Sequence, residues 1–306
     1  MGTAMLAAAV AIVCLMLTTW VISVVIKNAS IVDIVWGLGF VVVAWAVRLT
    51  VDGDAARQNL IVALVTVWGL RLAIHLAVRN LGHGEDFRYV LMRRKHGARF
   101  PWVSLYTVFG LQGALMFVVS LPAQLGQADA NPSVGPIAVM GVMLWIVGFF
   151  FEVVGDVQLT RFKKDPANKG QVMDKGLWSL TRHPNYFGDA VQWWGIGIIA
   201  AEAGMPAVGL VGSFVMTYLL TRVSGVPMLE HSMAKRPPVT RSTCDARARS
   251  SRARRSPDQS TSSAAVKSAI RSSGFSSPTE TRSNPSVTPV AVSSSLETPT
   301  WMAVAG

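Results

Sequence analysis

The chain has 306 residues, of which 51% are hydrophobic and only 15% are charged, and its formal net charge is +11. About a quarter of the residues in a typical soluble domain are charged, so the composition excludes an ordinary soluble domain and indicates an integral membrane protein. From residue 235 onward the chain contains 11 Lys or Arg and 4 Asp or Glu, so most of the excess positive charge lies in the C-terminal tail. The net charge therefore does not predict nucleic-acid binding.

Seven apolar segments follow one another along the chain, each near the roughly 20 residues that a helix needs to cross a bilayer. They are 3–26, 31–49, 59–78, 102–122, 134–155, 188–202 and 205–221. We therefore expect an all-α, multi-pass membrane domain of about seven transmembrane helices over residues 1–236. The first segment is expected to stay as a helix, because no basic residue precedes Lys27 and the apolar run is too long for a signal-peptide core.

The distribution of Lys and Arg predicts the orientation in the membrane. Basic residues are concentrated in 79–100 and 156–187, whereas 123–133 contains none. Because basic loops stay on the cytoplasmic side, the N-terminus is predicted outside and the C-terminal tail in the cytoplasm, in a multi-pass protein of the plasma membrane. Residues 237–306 are rich in Ser, Thr, Arg and Pro and show no helical or strand period, so we expect a disordered tail.

The first group of polar residues lies at the end of the third apolar segment. Arg71, His75 and Arg79 recur every four residues and therefore share one face of a helix. Such a face can receive an anion such as a phosphate, or its members can be basic anchors at the membrane boundary. Arg79 fits the anchor interpretation, and the deeper Arg71 and His75 fit the anion site.

The second group begins where the fifth apolar segment ends. Asp156 closes that segment, and a carboxylate at this depth is expensive unless it is paired. An amide, a ribose hydroxyl or a nearby Arg is a suitable partner. Lys163 follows as either an anion ligand or a marker of cytoplasmic topology, and Asn168 lies in the loop beyond it.

The third group is the segment 176–189. Pro184 and Asn185 predict a helix start, with Asn185 as the capping residue. A helix N-terminus beside Arg182 is suited to an anion, and Tyr186 can stack on a ring or donate a hydrogen bond. Trp178, Trp193 and Trp194 can either enclose a flat ring or belong to an interfacial belt of aromatic residues. The belt is the preferred interpretation for Trp193 and Trp194.

Other site chemistries have no signal in the sequence. The five histidines lack the close spacing of metal ligands, so no metal is expected. Cys14 and Cys244 form no disulfide framework. No Gly-x-Gly-x-x-Gly or phosphate-loop motif occurs, so any nucleotide is expected to bind outside a Rossmann fold.

In combination these motifs resemble one known family. They are Trp-Gly-x-Arg-Leu-x-x-His-Leu-x-x-Arg-Asn with Gly-Glu-Asp-x-Arg-Tyr, Gly-Asp-x-Gln, and Gly-Leu-Trp-x-x-x-Arg-His-Pro-Asn-Tyr-Phe-Gly-Asp. Over about residues 25–236 the chain resembles the DUF1295 family of steroid 5α-reductase-like and sterol reductase-like membrane enzymes. The resemblance implies seven helices, with NADPH held between the last helices and the cytoplasmic loops. It also implies hydride transfer to an activated C=C bond of a lipid or steroid-like enone among the first four helices.

The resemblance also implies which residues face the cofactor. By motif they are Asp156, Asn168, Arg182, His183, Asn185, Tyr186 and Asp189, with Arg222 added. Arg71 and Lys163 join them as the anion ligands suggested by the residue patterns above.

The resemblance does not identify a single residue as the acid that polarises the enone carbonyl. In 5α-reductases an acidic residue and a Tyr perform this task, but Leu76 occupies the position where that Tyr aligns. The remaining catalytic candidates are Asp33, Glu85 and Tyr89, together with His75.

Two alternatives to a reductase stay open. Isoprenylcysteine-type methyltransferases, which use S-adenosylmethionine, share Arg-His-Pro-x-Tyr, although the paired Glu expected after the last span is reduced to Glu230. A non-catalytic lipid-binding membrane protein is the other alternative. The expected partners are a lipid-like small molecule and membrane lipids, with no nucleic acid, and the oligomeric state is open.

The C-terminal sequence departs from the family. Relatives continue past Met-Ala-Lys-Arg with a short Tyr- and Arg-containing segment, whereas here Arg236 is followed by Pro237 and Pro238 and then by unrelated sequence. A shift of reading frame near residue 237 is our hypothesis for this change.

Overall fold

The computed structural model describes residues 1–130, 134–168, 171–204 and 206–223. These residues form helices and connecting turns, with no β-strand among them. The α-helices are α1 (Gly2–Val25), α2 (Ile31–Thr50), α3 (Ala55–Asn80), α4 (Phe87–His96), α5 (Phe100–Ser104), α6 (Leu111–Val119), α7 (Leu121–Gly126), α8 (Pro136–Lys164), α9 (Pro184–Glu202) and α10 (Pro206–Tyr218). Wider π-helical turns follow α5 and α10 at Leu105–Gly110 and Leu219–Val223.

Within the described part of the chain, five helical segments are long and apolar enough to cross a membrane. They are Gly2–Val25, Ile31–Thr50, Ala55–Asn80, Phe87–Val119 and Pro136–Lys164. The expected all-helical membrane fold is therefore confirmed. The last two expected spans correspond to α9 and α10, which are helical but shorter than these five, with 19 and 13 residues. Seven membrane crossings therefore stay a prediction. The tail and the suggested frame shift lie outside the described residues.

Glycines allow α8 and α9 to pack in close contact. Gly141, Gly148 and Gly155 recur every seven residues on α8, and Gly188 and Gly195 face the first two of them from α9. A Cβ atom placed on Gly148 would lie 2.5 Å from the backbone oxygen of Gly188, so only glycine fits this contact. Small residues at such crossings allow two membrane helices to approach backbone to backbone. The polar residues at the ends of both helices are thereby brought together.

An aromatic cluster fills the centre of the bundle and joins α2, α3 and α9. Phe40 packs against Trp36, Trp68 and Trp193 with ring centroids 5.2, 5.3 and 4.8 Å away. Trp68 and Trp193 also meet edge to face at 5.2 Å. The expectation that Trp193 belongs to an interfacial belt is wrong, because its side chain is fully buried in this cluster.

Polar contacts hold the helices together at the end of the bundle opposite to the basic segments 79–100 and 156–187. The buried Arg57 of α3 donates from Nε to Gly126 O at 2.9 Å and thereby joins α3 to α7. Glu202, at the end of α9, accepts hydrogen bonds from the backbone N–H groups of Gly135 and Ala138 at the start of α8. A carboxylate at a helix N-terminus also interacts favourably with the helix dipole.

Candidate functional site

Two carboxylates of α8 share the guanidinium group of Arg71 from α3. Arg71 Nη1 lies 2.6 Å from Glu152 Oε1, and Arg71 Nη2 donates to Asp156 Oδ2. His75 stands one turn further along α3, with Nε2 3.6 Å from Asp156 Oδ2. The expectation that Asp156 needs a partner is met by an arginine, and Arg71 is held by carboxylates rather than exposed to an anionic ligand.

The start of α9 lies beside this pair. The helix begins at Pro184, as the sequence predicts, but the N-cap position is His183 and its side chain forms no capping hydrogen bond. The expectation that Asn185 caps the helix is wrong. Asn185 lies one residue inside the helix, where its Nδ2 donates to Asp156 Oδ1 at 3.1 Å. The amide therefore extends the polar network instead of binding backbone N–H groups.

One face of α9 carries buried polar atoms without hydrogen-bond partners. They are Asn185 Oδ1, Asp189 Oδ1, Gln192 Oε1 and Trp193 Nε1, at positions i, i+4, i+7 and i+8. The indole nitrogen of Trp68, which lies near Asp189 and Glu152, is also buried and without a partner at hydrogen-bonding geometry. Buried polar groups are normally paired, so this concentration on one helix face marks a place for a polar ligand.

The other amide hydrogen bonds at this face connect it to α8. Gln192 Nε2 donates to Glu152 Oε2 at 2.6 Å and also approaches Gly188 O at 3.3 Å. We refer to the assembly as the α3–α8–α9 cluster, formed by Arg71, His75, Glu152, Asp156, Asn185, Asp189 and Gln192.

Tyr186 lies at the edge of this cluster. Its ring is buried and stacks on His183, with centroids 5.4 Å apart. Asp156 and Asp189 act on its phenol electrostatically, as do Arg79 and Arg88. Within the described part of the chain its hydroxyl forms no hydrogen bond, so it is available to a ligand.

A second group of charged residues joins the beginnings of α2 and α4. The buried Asp33 accepts a hydrogen bond from Tyr89 Oη at 2.8 Å and another from Arg88 Nη2 at 2.9 Å. Glu85 accepts from the backbone N–H of Ala29 at 2.8 Å and from Arg93 at 2.8 and 2.9 Å. We refer to this set as the α2–α4 cluster, formed by Asp33, Glu85, Asp86, Arg88, Tyr89 and Arg93.

Asp86 begins α4 in the same cluster. Its Oδ1 accepts hydrogen bonds from the backbone and the side chain of Arg88 at 3.0 and 2.7 Å. Burial acts to raise the pKa of the Asp86 carboxyl, but the hydrogen bonds from Arg88 outweigh it and the pKa is lowered. Asp86 therefore stays ionised as the N-cap of α4.

The structure thus groups the predicted site residues unequally. Three of the four catalytic candidates, Asp33, Glu85 and Tyr89, meet in the α2–α4 cluster, whereas His75 joins Asp156. Five cofactor candidates belong to or border the α3–α8–α9 cluster: Arg71, Asp156, Asn185, Tyr186 and Asp189. Arg71 acts there by binding Asp156.

The remaining cofactor candidates lie in the connecting segments or at the ends of helices. Asn168 donates to Phe162 O at 3.1 Å and closes the turn after α8. Lys163 is exposed and lies within electrostatic range of His75. Arg182 and Arg222 are exposed, and His183 is partly buried against Tyr186.

Three residues in or beside the α3–α8–α9 cluster were not predicted. Glu152 was detectable, because it is an acidic residue within the apolar segment 134–155 and must therefore be paired. Gln192 follows Asp189 by three residues on the same helix face, which is a weaker signal. Trp68 begins the Trp-Gly-x-Arg motif. Its position near Asp189 and Glu152 depends on how α3 packs against α8 and α9, which the sequence does not show.

Comparison with known proteins gives a family match over most of the chain. A family model described as a protein of unknown function, DUF1295, matches residues 19–241. No solved structure matches the chain.

Three curated relatives match shorter stretches. A probable O-methyltransferase, ustE, from Ustilaginoidea virens is 32% identical over 126 residues, which is 41% of this chain and 43% of the relative. The steroid 5-alpha-reductase DET2 from Arabidopsis thaliana is 36% identical over 62 residues, or 20% of this chain and 23% of the relative. The Delta(14)-sterol reductase TM7SF2 from Mus musculus is 28% identical over 98 residues, or 28% of this chain and 23% of the relative. The chain thus matches less than half the length of each relative.

Proposed function

The chain belongs to the DUF1295 family, and from this premise we propose that it is a membrane-embedded reductase that uses NADPH to reduce an activated C=C bond of a lipid-like enone. Two of its matched relatives are named as steroid or sterol reductases. The described residues include five helices that are long and apolar enough to cross a membrane.

The observation that carries this proposal is the polar face of α9. A nicotinamide carboxamide both donates and accepts hydrogen bonds. Among the described residues, Asn185, Asp189 and Gln192 offer buried acceptor atoms without partners, and the indole nitrogen of Trp193 offers an unused donor. The residues present therefore fit the nicotinamide end of the cofactor. Its phosphates would be held by basic residues at the end of α8 and before α9, for which Lys163 and Arg182 are our candidates.

When bound, NADPH supplies a hydride to the β carbon of the enone, and a proton is added at the α carbon. The protein must polarise the enone carbonyl. Tyr186 is suited to this task, because its hydroxyl forms no hydrogen bond within the described residues and lies in electrostatic range of Arg79 and Arg88. A hydrogen bond from this hydroxyl would stabilise the negative charge that develops on the carbonyl oxygen.

The predicted catalytic candidates take different parts in this proposal. The hydroxyl of Tyr89 donates to Asp33, and the carboxylate of Glu85 is engaged by Arg93 and Ala29 N. These contacts support a positioning role in fixing α4 against α2. His75 remains available as a proton source, because its imidazole borders Asp156 and is partly exposed.

The alternative is a methyltransferase that uses S-adenosylmethionine. It is favoured by the probable O-methyltransferase, which matches 126 residues of this chain compared with 62 and 98 for the two reductases. The same α9 face would then receive a different cofactor.

The test is ligand binding by the purified full chain in detergent, with NADPH and S-adenosylmethionine titrated in parallel. We expect saturable NADPH binding. We also expect Asn185→Ala to weaken that binding by about tenfold, the size of effect of one or two lost hydrogen bonds.

Asn59→Ala is the matched control, because Asn59 is exposed near the far end of α2 and α3 and bonds only to Arg48. It should bind NADPH as the parent does. Binding of S-adenosylmethionine without NADPH would support the methyltransferase instead, and binding of neither would contradict an enzymatic role for this site.

A further inference from the structure

Asp189 is a buried carboxyl group that forms no ion pair with any of the described residues. Only 8% of the residue is exposed, and its Oδ1 atom has no hydrogen-bond partner. The charged side chains that act most strongly on it are Glu152, Arg71 and Asp156. Arg71 is already in contact with the other two carboxylates.

Carboxyl groups therefore outnumber cationic groups in this cluster. The guanidinium of Arg71 contacts Glu152 and Asp156 and acts on Asp189 only within electrostatic range, and the imidazole of His75 lies beside Asp156. A buried carboxylate without a counterion is costly. Burial therefore disfavours the ionised form of Asp189, and a ligand that brings a positive charge to it would stabilise that form, whereas a neutral ligand of the same shape would not.

We propose that the α3–α8–α9 cluster selects ligands whose reacting group is positively charged, so that the oxidised cofactor, with its pyridinium ring, binds more tightly than the reduced cofactor. This inference rests on the proposed function for the identity of the ligand. Its physical basis is the buried carboxyl of Asp189, which forms no ion pair with the described residues. The same carboxyl favours the positive charge that develops on the nicotinamide ring as hydride departs.

The charge rule also applies to the alternative cofactor. S-adenosylmethionine carries a sulfonium cation, whereas S-adenosylhomocysteine, its demethylated product, is a neutral thioether at the same position. A methyltransferase site built around Asp189 should therefore bind the substrate form more tightly than the product form.

The experiment compares four ligands with the full chain in detergent by calorimetry: NADP⁺, NADPH, S-adenosylmethionine and S-adenosylhomocysteine. For the parent protein we expect NADP⁺ to bind about tenfold more tightly than NADPH, since the attraction between a unit positive charge and a nearby carboxylate exceeds the cost of ionising the buried carboxyl by about this factor. This comparison needs no variant, so it does not depend on how a substitution affects folding.

The variant Asp189→Asn keeps the shape of the side chain and removes its charge. We expect the preference for NADP⁺ to fall to about twofold or less, chiefly through weaker NADP⁺ binding. The control Asp52→Asn makes the same chemical change at an exposed residue between α2 and α3. It should preserve the tenfold preference of the parent.

The outcomes separate the two proposals. Equal affinity for NADP⁺ and NADPH, or an unchanged preference in Asp189→Asn, would overturn the charge rule while leaving the reductase intact. A preference for S-adenosylmethionine over S-adenosylhomocysteine, with no nicotinamide binding, would overturn the reductase and support the charge rule. Binding of none of the four ligands would overturn both.

Discussion

At the scale of single residues, Arg71 determines whether the candidate site can exist inside a membrane domain. Its guanidinium contacts Glu152 and Asp156, and both carboxylates are less than one-tenth exposed. Removing one partner from a buried ion pair leaves an uncompensated charge, whereas removing all partners together is often nearly neutral. The contribution of Arg71 is therefore conditional on the two acids of α8.

This condition gives the first prediction. Arg71→Met should destabilise the protein by about 3–5 kcal/mol, because Glu152 and Asp156 lose their shared cation. The triple variant Arg71→Met, Glu152→Gln, Asp156→Asn should recover most of that loss. The measurement is the thermal unfolding midpoint of the purified protein in detergent.

Arg94→Met is the matched control, because Arg94 is exposed on α4. Its unfolding midpoint should stay within experimental error of the parent. A triple variant as unstable as Arg71→Met alone would show that Arg71 acts through packing and not through the two carboxylates.

The same residue shows how far the sequence alone could lead. The four-residue spacing correctly predicted that Arg71 and His75 share a helix face, but it could not show what lies opposite them. Arg71 was expected to receive an anion from outside, and it is instead occupied by Glu152 and Asp156. Spacing along a helix identifies neighbours on that helix, and partners from other helices depend on the tertiary packing.

At the scale of elements, the packing of α8 on α9 places the polar groups of the site. The Cβ atom that would be added at Gly188 points at the backbone of Gly148 and Glu152. Gly155 lies in the same way against Pro184 and Asn185. The seven-residue repeat of glycines therefore sets the separation of Asp156 from Asn185, which is bridged by a hydrogen bond of 3.1 Å.

A single added methyl group tests this arrangement. Gly148→Ala places a Cβ atom 2.5 Å from Gly188 O and 2.7 Å from Gln192 N, so the two helices must separate. Overpacking of this kind typically costs about 1–3 kcal/mol, and we expect a corresponding fall in the unfolding midpoint. Separation should also weaken NADPH binding, since Asp156 and Asn185 lie on opposite sides of the contact.

Gly2→Ala provides the comparison, because a Cβ atom at Gly2 meets nothing within 4 Å. The midpoint and NADPH affinity of this variant should equal those of the parent. If Gly148→Ala behaves like Gly2→Ala, the close contact of α8 and α9 is not what positions the site.

Helix positions were predictable to different degrees. The second apolar segment, 31–49, agrees with α2 at Ile31–Thr50, because apolar composition directly indicates a span. The fourth segment was predicted from residue 102, whereas the helical span begins at Phe87. Residues 87–99 carry many basic side chains, so composition excludes them from an apolar segment although α4 is helical. Hydropathy locates the hydrocarbon portion of a helix and not its polar extension.

At the scale of the whole molecule, contacts between loops agree with the alternation expected for a multi-pass bundle. The segment before α2 touches the segment before α4, since Ser30 Oγ accepts from Asp86 N at 2.7 Å. The segment before α3 touches the one after α7, since Asp54 N donates to Asp129 O at 3.0 Å. These two sets of loops lie at opposite ends of α2 and α3. Which end faces the cytoplasm is predicted only by the distribution of Lys and Arg.

The predicted orientation can be tested with two introduced cysteines, Asp52→Cys and His83→Cys, in a background with Cys14→Ser and Cys244→Ser. Both sites are exposed, and they lie at opposite ends of α3. Because basic residues are retained on the cytoplasmic side, residue 83, beside the basic α4, should face the cytoplasm and residue 52 the outside. A membrane-impermeant maleimide should therefore label position 52 in intact cells, and position 83 only after permeabilisation.

The opposite pattern would mean that the bundle is inverted and that the α3–α8–α9 cluster, near residue 83, opens away from cytoplasmic NADPH. Such a result would contradict the reductase proposal as well as the orientation.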